Sequence, residues 1–479
     1  MSKVNHAEVY GNFIGGSWRH SGQTFPVTNK YTGEVLAQVA SASEADVSAA
    51  VGTALSTFQA KPLPVVERCE ILLQAARLIG LSKERLATMI VRESGKVMKD
   101  ALAEVDRAVQ TFIASAEEAK RLAGKEIPLR GQPGNEHRIA FTMYSPVGVV
   151  CAITPFNFPL NLVAHKVAPA IAAGNSVVLK PAEAAPMTSM LLAGILQEAG
   201  LPNGFLNVVN GAGAEVGGYL LKDERIALFT FTGSPEVGRR IKNQTGIRKV
   251  VLELGNNSPN IVHVDAPDLA QAAKLCVARG FGNNGQACIS VQRVYVHREI
   301  YDAFVRYAVE ETKLLQAGDP ESMQTDVGPM ISIGAAERAE SWIREAVNEG
   351  AEVAVGGTRS GALLQPTILV NATEGMKAVC EEIFAPVISI IAYDDFDQAL
   401  KLANDSRYGL QAGVFTSNLQ LAMKAARTLE FGGVIINDAS SFRADIMPYG
   451  GFKDSGFGKE GPAYAVREMS EERIIVINL

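Results

Sequence analysis

The run Gly280-Phe281-Gly282-Asn283-Asn284-Gly285-Gln286-Ala287-Cys288-Ile289-Ser290 carries one cysteine behind a series of glycines and asparagines. Glycines let a backbone pass close to a ligand or take positive φ. Small polar residues before a thiol leave backbone N–H groups to face the space beside sulfur, which is how a developing oxyanion is held. The same run also reads as a loop around a buried cysteine, since free cysteine is among the most buried residue types. In Val251-Leu252-Glu253-Leu254-Gly255-Asn256-Asn257 a carboxylate closes an apolar strand. Burial raises the pKa of such a group and makes it a usable base near neutral pH. A Lys or Arg partner elsewhere in the chain is the competing explanation. Thr154-Pro155-Phe156-Asn157-Phe158-Pro159 offers the Asn157 amide, a neutral donor that could complete an oxyanion hole with the Cys288 backbone N–H or could simply shape a turn. The other four cysteines, Cys69, Cys151, Cys276 and Cys380, sit in apolar contexts and read as core residues.

A second group of residues suits a dinucleotide. Phe231-Thr232-Gly233-Ser234-Pro235-Glu236 reads as a strand, a glycine, a serine N-cap and a proline at the first helical position. A helix start facing the end of a parallel strand is an anion site that fits a pyrophosphate. Nearby, Gly211-Ala212-Gly213-Ala214-Glu215-Val216-Gly217 is one residue too long for a Rossmann fingerprint. Lys180-Pro181-Ala182-Glu183 closes another strand. Glu183 could accept from the two ribose hydroxyls of NAD and would repel a 2′-phosphate, whereas Lys180 could attract that phosphate. A surface Lys–Glu pair is the plainer alternative.

These residues need elements to hold them. Residues 12–40 read as a β-rich opening and residues 43–123 as helices, with Ser43 as a cap and Leu72, Leu73, Ala76, Leu78 and Ile79 at helical spacing. Arg107 falls on such a helix beside Val105, Ala108 and Val109. Residues 124–136 break the pattern and suggest an arm or bridging hairpin. From residue 142 to 250, apolar strands alternate with helices, which indicates a parallel sheet covered on both faces. Pro169 predicts a kink or break in the helix over 162–173. A second α/β unit follows Cys288, with helices over 300–315 and 335–346 and strands over 387–391 and 433–437. The run Glu472-Arg473-Ile474-Ile475-Val476-Ile477 is a terminal strand that must pair with something, another subunit included.

Composition narrows the class. The chain has 479 residues, 47% of them apolar and 20% charged, as in an ordinary globular protein of several domains. A net charge of −6 without a basic block gives nucleic acid no electrostatic footprint. Met1 to His6 lead into no apolar signal core, and no apolar run is long enough for a membrane span. Five cysteines without a Cys-x-x-Cys pair match a reducing compartment, and six histidines without ligand spacing argue against zinc. The expectation is a cytoplasmic protein.

Taken in order, Asn157 in Pro155-Phe156-Asn157-Phe158-Pro159, Lys180 in Lys180-Pro181-Ala182-Glu183, and Phe231-Thr232-Gly233-Ser234 resemble the aldehyde dehydrogenase superfamily. So do Glu253 in Leu252-Glu253-Leu254-Gly255, Cys288 in Gly285-Gln286-Ala287-Cys288, and Glu382-Ile383-Phe384-Ala385-Pro386. The resemblance spans essentially the whole chain. It implies two doubly wound Rossmann-like α/β domains and a small β oligomerisation arm. The NAD(P)-binding domain would comprise residues 1–123 and 142–251, the catalytic domain 252–444, and the arm 124–141 and 462–479. It implies a homodimer or homotetramer. The family's cofactor contacts fall on Thr154, Lys180, Glu183 and Gly213, and on Ser234, Glu382 and Phe384. It further implies attack by Cys288 on an aldehyde, an oxyanion held by Asn157, hydride transfer to NAD or NADP with NAD preferred, and hydrolysis of the thioester by water that Glu253 activates.

Asn157 to Lys166 and Phe442 to Pro448 resemble the lactaldehyde dehydrogenase group, which is similar to the non-phosphorylating glyceraldehyde-3-phosphate dehydrogenases. Arginines hold anionic tails in those relatives, and Arg107 and Arg443 match two such positions. The residue before the nucleophile, an arginine in the phosphate users, is Ala287 here. A small hydroxyaldehyde, a semialdehyde, or an aromatic aldehyde against Phe158 all remain open. Rival classes are a catalytically silent binding protein on the same fold and a thiol hydrolase acting on esters.

Overall fold

The computed structural model describes residues 9–20, 22–60 and 62–479. The expectation for Met1 to His6 lies outside them. The apolar runs become strands of two large sheets. The first runs Gly456–Phe457, Lys249–Glu253, Leu228–Thr232, Val149–Ile153, Ser176–Lys180, Leu206–Val208, Asn12–Ile14, Ser17–Arg19. Its five central strands are parallel, and the antiparallel additions lie at its two sides. The chain moves outward from Val149–Ile153 through Ser176–Lys180 and Leu206–Val208. It then returns to lay Leu228–Thr232 on the opposite flank. Such a reversal opens a crevice at the carboxyl ends of the strands, where open α/β sheets take ligands. Register places the candidate residues along that end, with Ile153 opposite both Lys180 and Phe231, and Thr232 opposite Glu253.

Helices cover this sheet. Glu44–Ala60 starts with a reciprocal cap, in which the Asp46 N–H donates to Ser43 Oγ and the Ser43 N–H donates to the Asp46 carboxylate. Val65–Leu81, Met98–Arg121 and Asn161–Ala173 pack together in the largest core cluster. Leu72, Ala76, Leu78 and Ile79 are buried as their spacing predicts. Leu73 is not: one position on from Leu72 it turns to solvent. Asn161–Ala173 continues through Pro169 as one helix, so the break that Pro169 allowed does not occur. Every one of its residues is buried, and packing on all sides holds the helix together where the proline removes a hydrogen bond.

The second sheet runs Glu352–Val355, Thr367–Val370, Val387–Tyr393, Arg293–His297, Pro259–Val262, Gln411–Phe415, Gly433–Ile436, parallel except for the first. In a third, small sheet the terminal strand Ser470–Asn478 lies antiparallel along Arg138–Pro146, which also pairs with Glu126–Ile127. The segment between these sheets matters for the site. Gly456–Phe457 pairs with Lys249–Glu253, and the Leu254 N–H donates to the Ser455 carbonyl at 2.9 Å. Late chain is thereby laid beside Glu253.

Candidate active site

Helix Leu269–Phe281 gives way to three successive left-handed residues, Asn283 (φ 51°), Asn284 (φ 58°) and Gly285 (φ 69°). Asparagine tolerates this region better than most residues. Here its side chains also fasten the loop. Asn284 Nδ2 donates to the Gly95 and Pro329 carbonyls, and Asn284 Oδ1 accepts from the Gly328 N–H. Gly285 has no substitute, because a Cβ there would strike the Ala385 carbonyl. The loop delivers Cys288 half-buried, with its Sγ 2.9 Å from Tyr449 Oη. Enclosure pushes the Cys288 thiol up to about 12, while the Tyr449 bond and the Arg443 charge act downward.

Asn157 lies across from this loop. Its Nδ2 donates to the Gln286 carbonyl at 2.8 Å, a carbonyl that also accepts from Asn283 Nδ2. The amide is therefore fixed next to the cysteine loop with one N–H still to give. The Cys288 N–H makes no intrachain backbone hydrogen bond among the described residues.

Glu253 is 2% exposed, and neither of its oxygens has a hydrogen-bond partner among the described residues. Burial raises its carboxyl well above the ordinary value, and neighbouring Glu460 adds to the rise. The expected alternative, a Lys or Arg paired with Glu253, does not occur among the described residues. Those cations are engaged by Glu460 instead. Lys166 Nζ donates to Glu460 at 2.5 Å and Arg443 donates to it at 3.3 Å. Burial works against the Glu460 carboxylate, yet these two cations hold it at about 2.

Two cavities meet at the sulfur. One, of about 620 Å³, opens along the switch point of the first sheet and takes in Thr154, Lys180, Glu183, Gly213 and Ser234. Glu382 and Phe384 line its other wall. Ser234 caps helix Pro235–Gln244 with Pro235 at its start, and its Oγ accepts from the Val237 N–H at 3.4 Å. Lys180 is buried, and burial brings its ammonium down to about 8 with Glu183 pulling the other way. No ion pair joins Lys180 and Glu183 among the described residues; Glu183 accepts from the Gly213 N–H at 3.3 Å instead. Thr154 Oγ1 and Thr232 Oγ1 are buried without hydrogen-bond partners among the described residues. Helix start, lysine, acid and unpartnered hydroxyls together fit a dinucleotide.

The other cavity, about 370 Å³, holds Glu253, Arg107, Phe158 and Arg443. Neither arginine is a free surface group. Arg107 grips Asp445 through Nε at 3.1 Å and a terminal nitrogen at 2.8 Å, and Asp445 also bonds Asn161 and His165. Partial burial works against the Asp445 carboxylate, but His165 and Arg107 hold it well below the ordinary range. Arg443 is 7% exposed on its side chain and stacks over the Tyr449 ring at 3.6 Å.

Sequence reasoning missed Tyr449 and Glu460, which reach the site by the late-chain crossing. The ionisable pair His165 and Lys166, inside an otherwise apolar helix, was a signal that could have pointed there. Cys380 requires correction. Cys69, Cys151 and Cys276 are buried as expected, but Cys380 is exposed at the end of the four-residue helix Lys377–Cys380.

A sequence profile of the aldehyde dehydrogenase family matches residues 18–475. The 3-sulfolactaldehyde dehydrogenase of Priestia aryabhattai is 51% identical over 479 residues, covering 100% of both chains. Aldehyde dehydrogenase 21 of Physcomitrella patens, in complex with its reaction product succinate, superposes with a TM-score of 0.96 at 39% identity, covering 98% of each chain. The glyceraldehyde-3-phosphate dehydrogenase GapN of Methanocaldococcus jannaschii, complexed with NADP, gives 0.92 at 40% identity, covering 96% of this chain and 100% of its own.

Proposed function

The chain belongs to the aldehyde dehydrogenase family, and on that premise we propose that it oxidises a small hydroxyaldehyde with an anionic tail to the acid, with Cys288 as nucleophile. The observation that carries this reading is the position of Cys288, shared by a dinucleotide-shaped cavity and a second cavity that holds both Glu253 and Arg443.

The thiolate of Cys288 attacks the aldehyde carbon. The spare N–H of Asn157 and the N–H of Cys288 hold the oxyanion that forms. Thr154, Lys180, Glu183, Gly213, Ser234, Glu382 and Phe384 would hold the dinucleotide, which when bound supplies the acceptor for the hydride. Loss of hydride from carbon leaves a thioester on Cys288. Glu253, with no ion-pair partner among the described residues to tie it up, takes a proton from water, and that water releases the acid. Arg107 and Arg443 would face the substrate tail and Phe158 its carbon chain. The similarity to a 3-sulfolactaldehyde dehydrogenase and to a succinate complex supports a tail that ends in a sulfonate or carboxylate.

NAD is preferred over NADP in this reading, because Glu183 would lie against a 2′-phosphate. The chain would self-associate through its small sheet. Ser470–Asn478 is an edge strand of that sheet, and Ile474 and Val476 on it are more than half exposed, at 53% and 51%. No helix among the described residues is long and apolar enough to cross a membrane; five free cysteines support the cytoplasm.

The test is a panel of aldehydes with sulfonate, carboxylate, hydroxyl and phenyl tails, run with NAD and NADP. The anionic hydroxyaldehydes should give the highest kcat/KM. Cys288→Ser should abolish oxidation while dinucleotide binding, followed by tryptophan fluorescence, persists. Faster turnover of benzaldehyde would favour the aromatic reading that Phe158 allows.

A further inference from the structure

The phenol of Tyr449 sits in contact with the atom that does the chemistry. Its Oη lies 2.9 Å from Cys288 Sγ, and the residue is 3% exposed. Its backbone is fixed on both sides, since Tyr449 and Glu460 exchange N–H to carbonyl bonds at 3.1 and 2.7 Å. The Arg443 guanidinium stacks on the ring at 3.6 Å and is itself anchored to Glu460. Tyr449, Ile289 and Leu410 form a small apolar cluster against the cysteine. The phenol is thus placed by backbone, packing and a cation.

We propose that Tyr449 is a further catalytic residue, whose hydroxyl donates a hydrogen bond to the Cys288 sulfur and favours the thiolate over the thiol. The proposal rests on the reading that Cys288 is the nucleophile. No proton leaves Tyr449. The thiol proton passes to solvent, the phenol keeps its own, and the sulfur lone pair so exposed forms the bond to the aldehyde carbon. A donor matters here because the surroundings of the sulfur oppose charge. Enclosure, Glu382 and Glu253 all disfavour the thiolate, and the Tyr449 bond and the Arg443 guanidinium favour it. Arg443 over the ring face also supports the donor role. A cation against the π-cloud draws electron density from the phenol and makes its O–H a better donor. One side chain thereby joins the arginine proposed to meet the substrate tail to the sulfur that meets its aldehyde.

The experiment measures alkylation of Cys288 by iodoacetamide in the full-length protein, read by mass spectrometry of the Cys288 peptide so that exposed Cys380 does not contribute. Reaction follows the thiolate fraction. Tyr449→Phe keeps ring and packing but removes the donor. Its alkylation rate should fall about tenfold at every pH between about 6 and 9, as expected for loss of one hydrogen bond to a charged group. Replacing Tyr449 with 3-fluorotyrosine, a more acidic phenol, should raise the rate, an effect that mere space filling would not give. An unchanged rate in Tyr449→Phe, or a faster one, which would make Tyr449 an acceptor holding the thiol, overturns the proposal. Cys288→Ser separates the two ideas. If that variant still oxidises aldehydes, the nucleophile assignment fails; if it is dead while Tyr449→Phe alkylates normally, only the role of Tyr449 fails.

Discussion

Glu253→Gln replaces the proposed base with a group of the same shape that cannot accept a proton. Neither oxygen of Glu253 makes a hydrogen bond among the described residues, so the change breaks no contact and its kinetic effect isolates the base. A positioned general base contributes about 10²–10⁴-fold, or about 3–5 kcal/mol of barrier. Thioester hydrolysis should slow by that factor. Attack by Cys288 and loss of hydride do not use Glu253 as a base, and its charge works against the thiolate, so these steps should not slow. In a stopped-flow experiment, enzyme, NAD and aldehyde should therefore give a rapid burst of about one NADH per site. A slow steady phase should follow. If burst and steady phase fall together, Glu253 acts before hydride transfer and the assignment is wrong. The substitution also bears on stability, with the opposite sign. Burial raises the folded carboxyl well above its ordinary 4.5. The folded protein then keeps a proton that the unfolded chain releases. Stability falls as pH rises from that ordinary value toward the folded one. Gln escapes this loss. Melting curves of the two proteins should overlay near pH 4, and the variant should be the more stable near pH 7. A variant less stable at neutral pH would mean that the carboxylate is stabilised by its surroundings.

Glu183→Ala should raise kcat/KM with NADP relative to NAD, because the acid against the 2′-phosphate is gone and buried Lys180 remains; an unchanged ratio in initial-rate assays would remove Glu183 from cofactor choice. Arg443→Ala should raise KM for an anionic hydroxyaldehyde at least about tenfold, about 1.4 kcal/mol, and leave KM for propanal nearly unchanged. Its kcat should fall on both substrates, since Glu460 and Tyr449 each lose a partner; equal KM changes would make Arg443 a brace only. Ile474→Glu, on the exposed face of the terminal strand, should shift the protein to a smaller species in light scattering with secondary structure intact. No change in mass would place any self-association elsewhere.

The strand ends were legible because chemistry and punctuation coincide there. Lys180, Thr232 with Ser234, and Glu253 each close an apolar run, and the parallel sheet brings all of them to one edge. The Gly280 to Ser290 run declared a special backbone, and the left-handed Asn283, Asn284 and Gly285 are its cause. Register and crossing were not legible. Nothing near Tyr449 or Glu460 says that Gly456–Phe457 will pair with Lys249–Glu253, a contact about 200 residues away in sequence. Partner choice was equally hidden. Arg107 and Arg443 looked alike as isolated arginines, yet one is gripped by Asp445 and the other is sealed against Tyr449 and Glu460. Leu73 and Cys380 failed for a simpler reason, since apolar neighbours do not fix which way a side chain faces.

Because the sulfur is reached from two sides, traffic through the site need not form a single queue. Glu253 lines the smaller cavity and is absent from the lining of the larger one. If the aldehyde enters by the smaller cavity, as proposed, water bound for the thioester would arrive by the same door. A dinucleotide in the other door would not stand in its way, and reduced dinucleotide could depart before or after the acid. What would obstruct water is the acyl group itself. On that route a short acyl chain would leave the way to Glu253 open, whereas a bulky one would plug it. Turnover of large aldehydes would stall after their oxidation, with the enzyme parked as a covalent adduct.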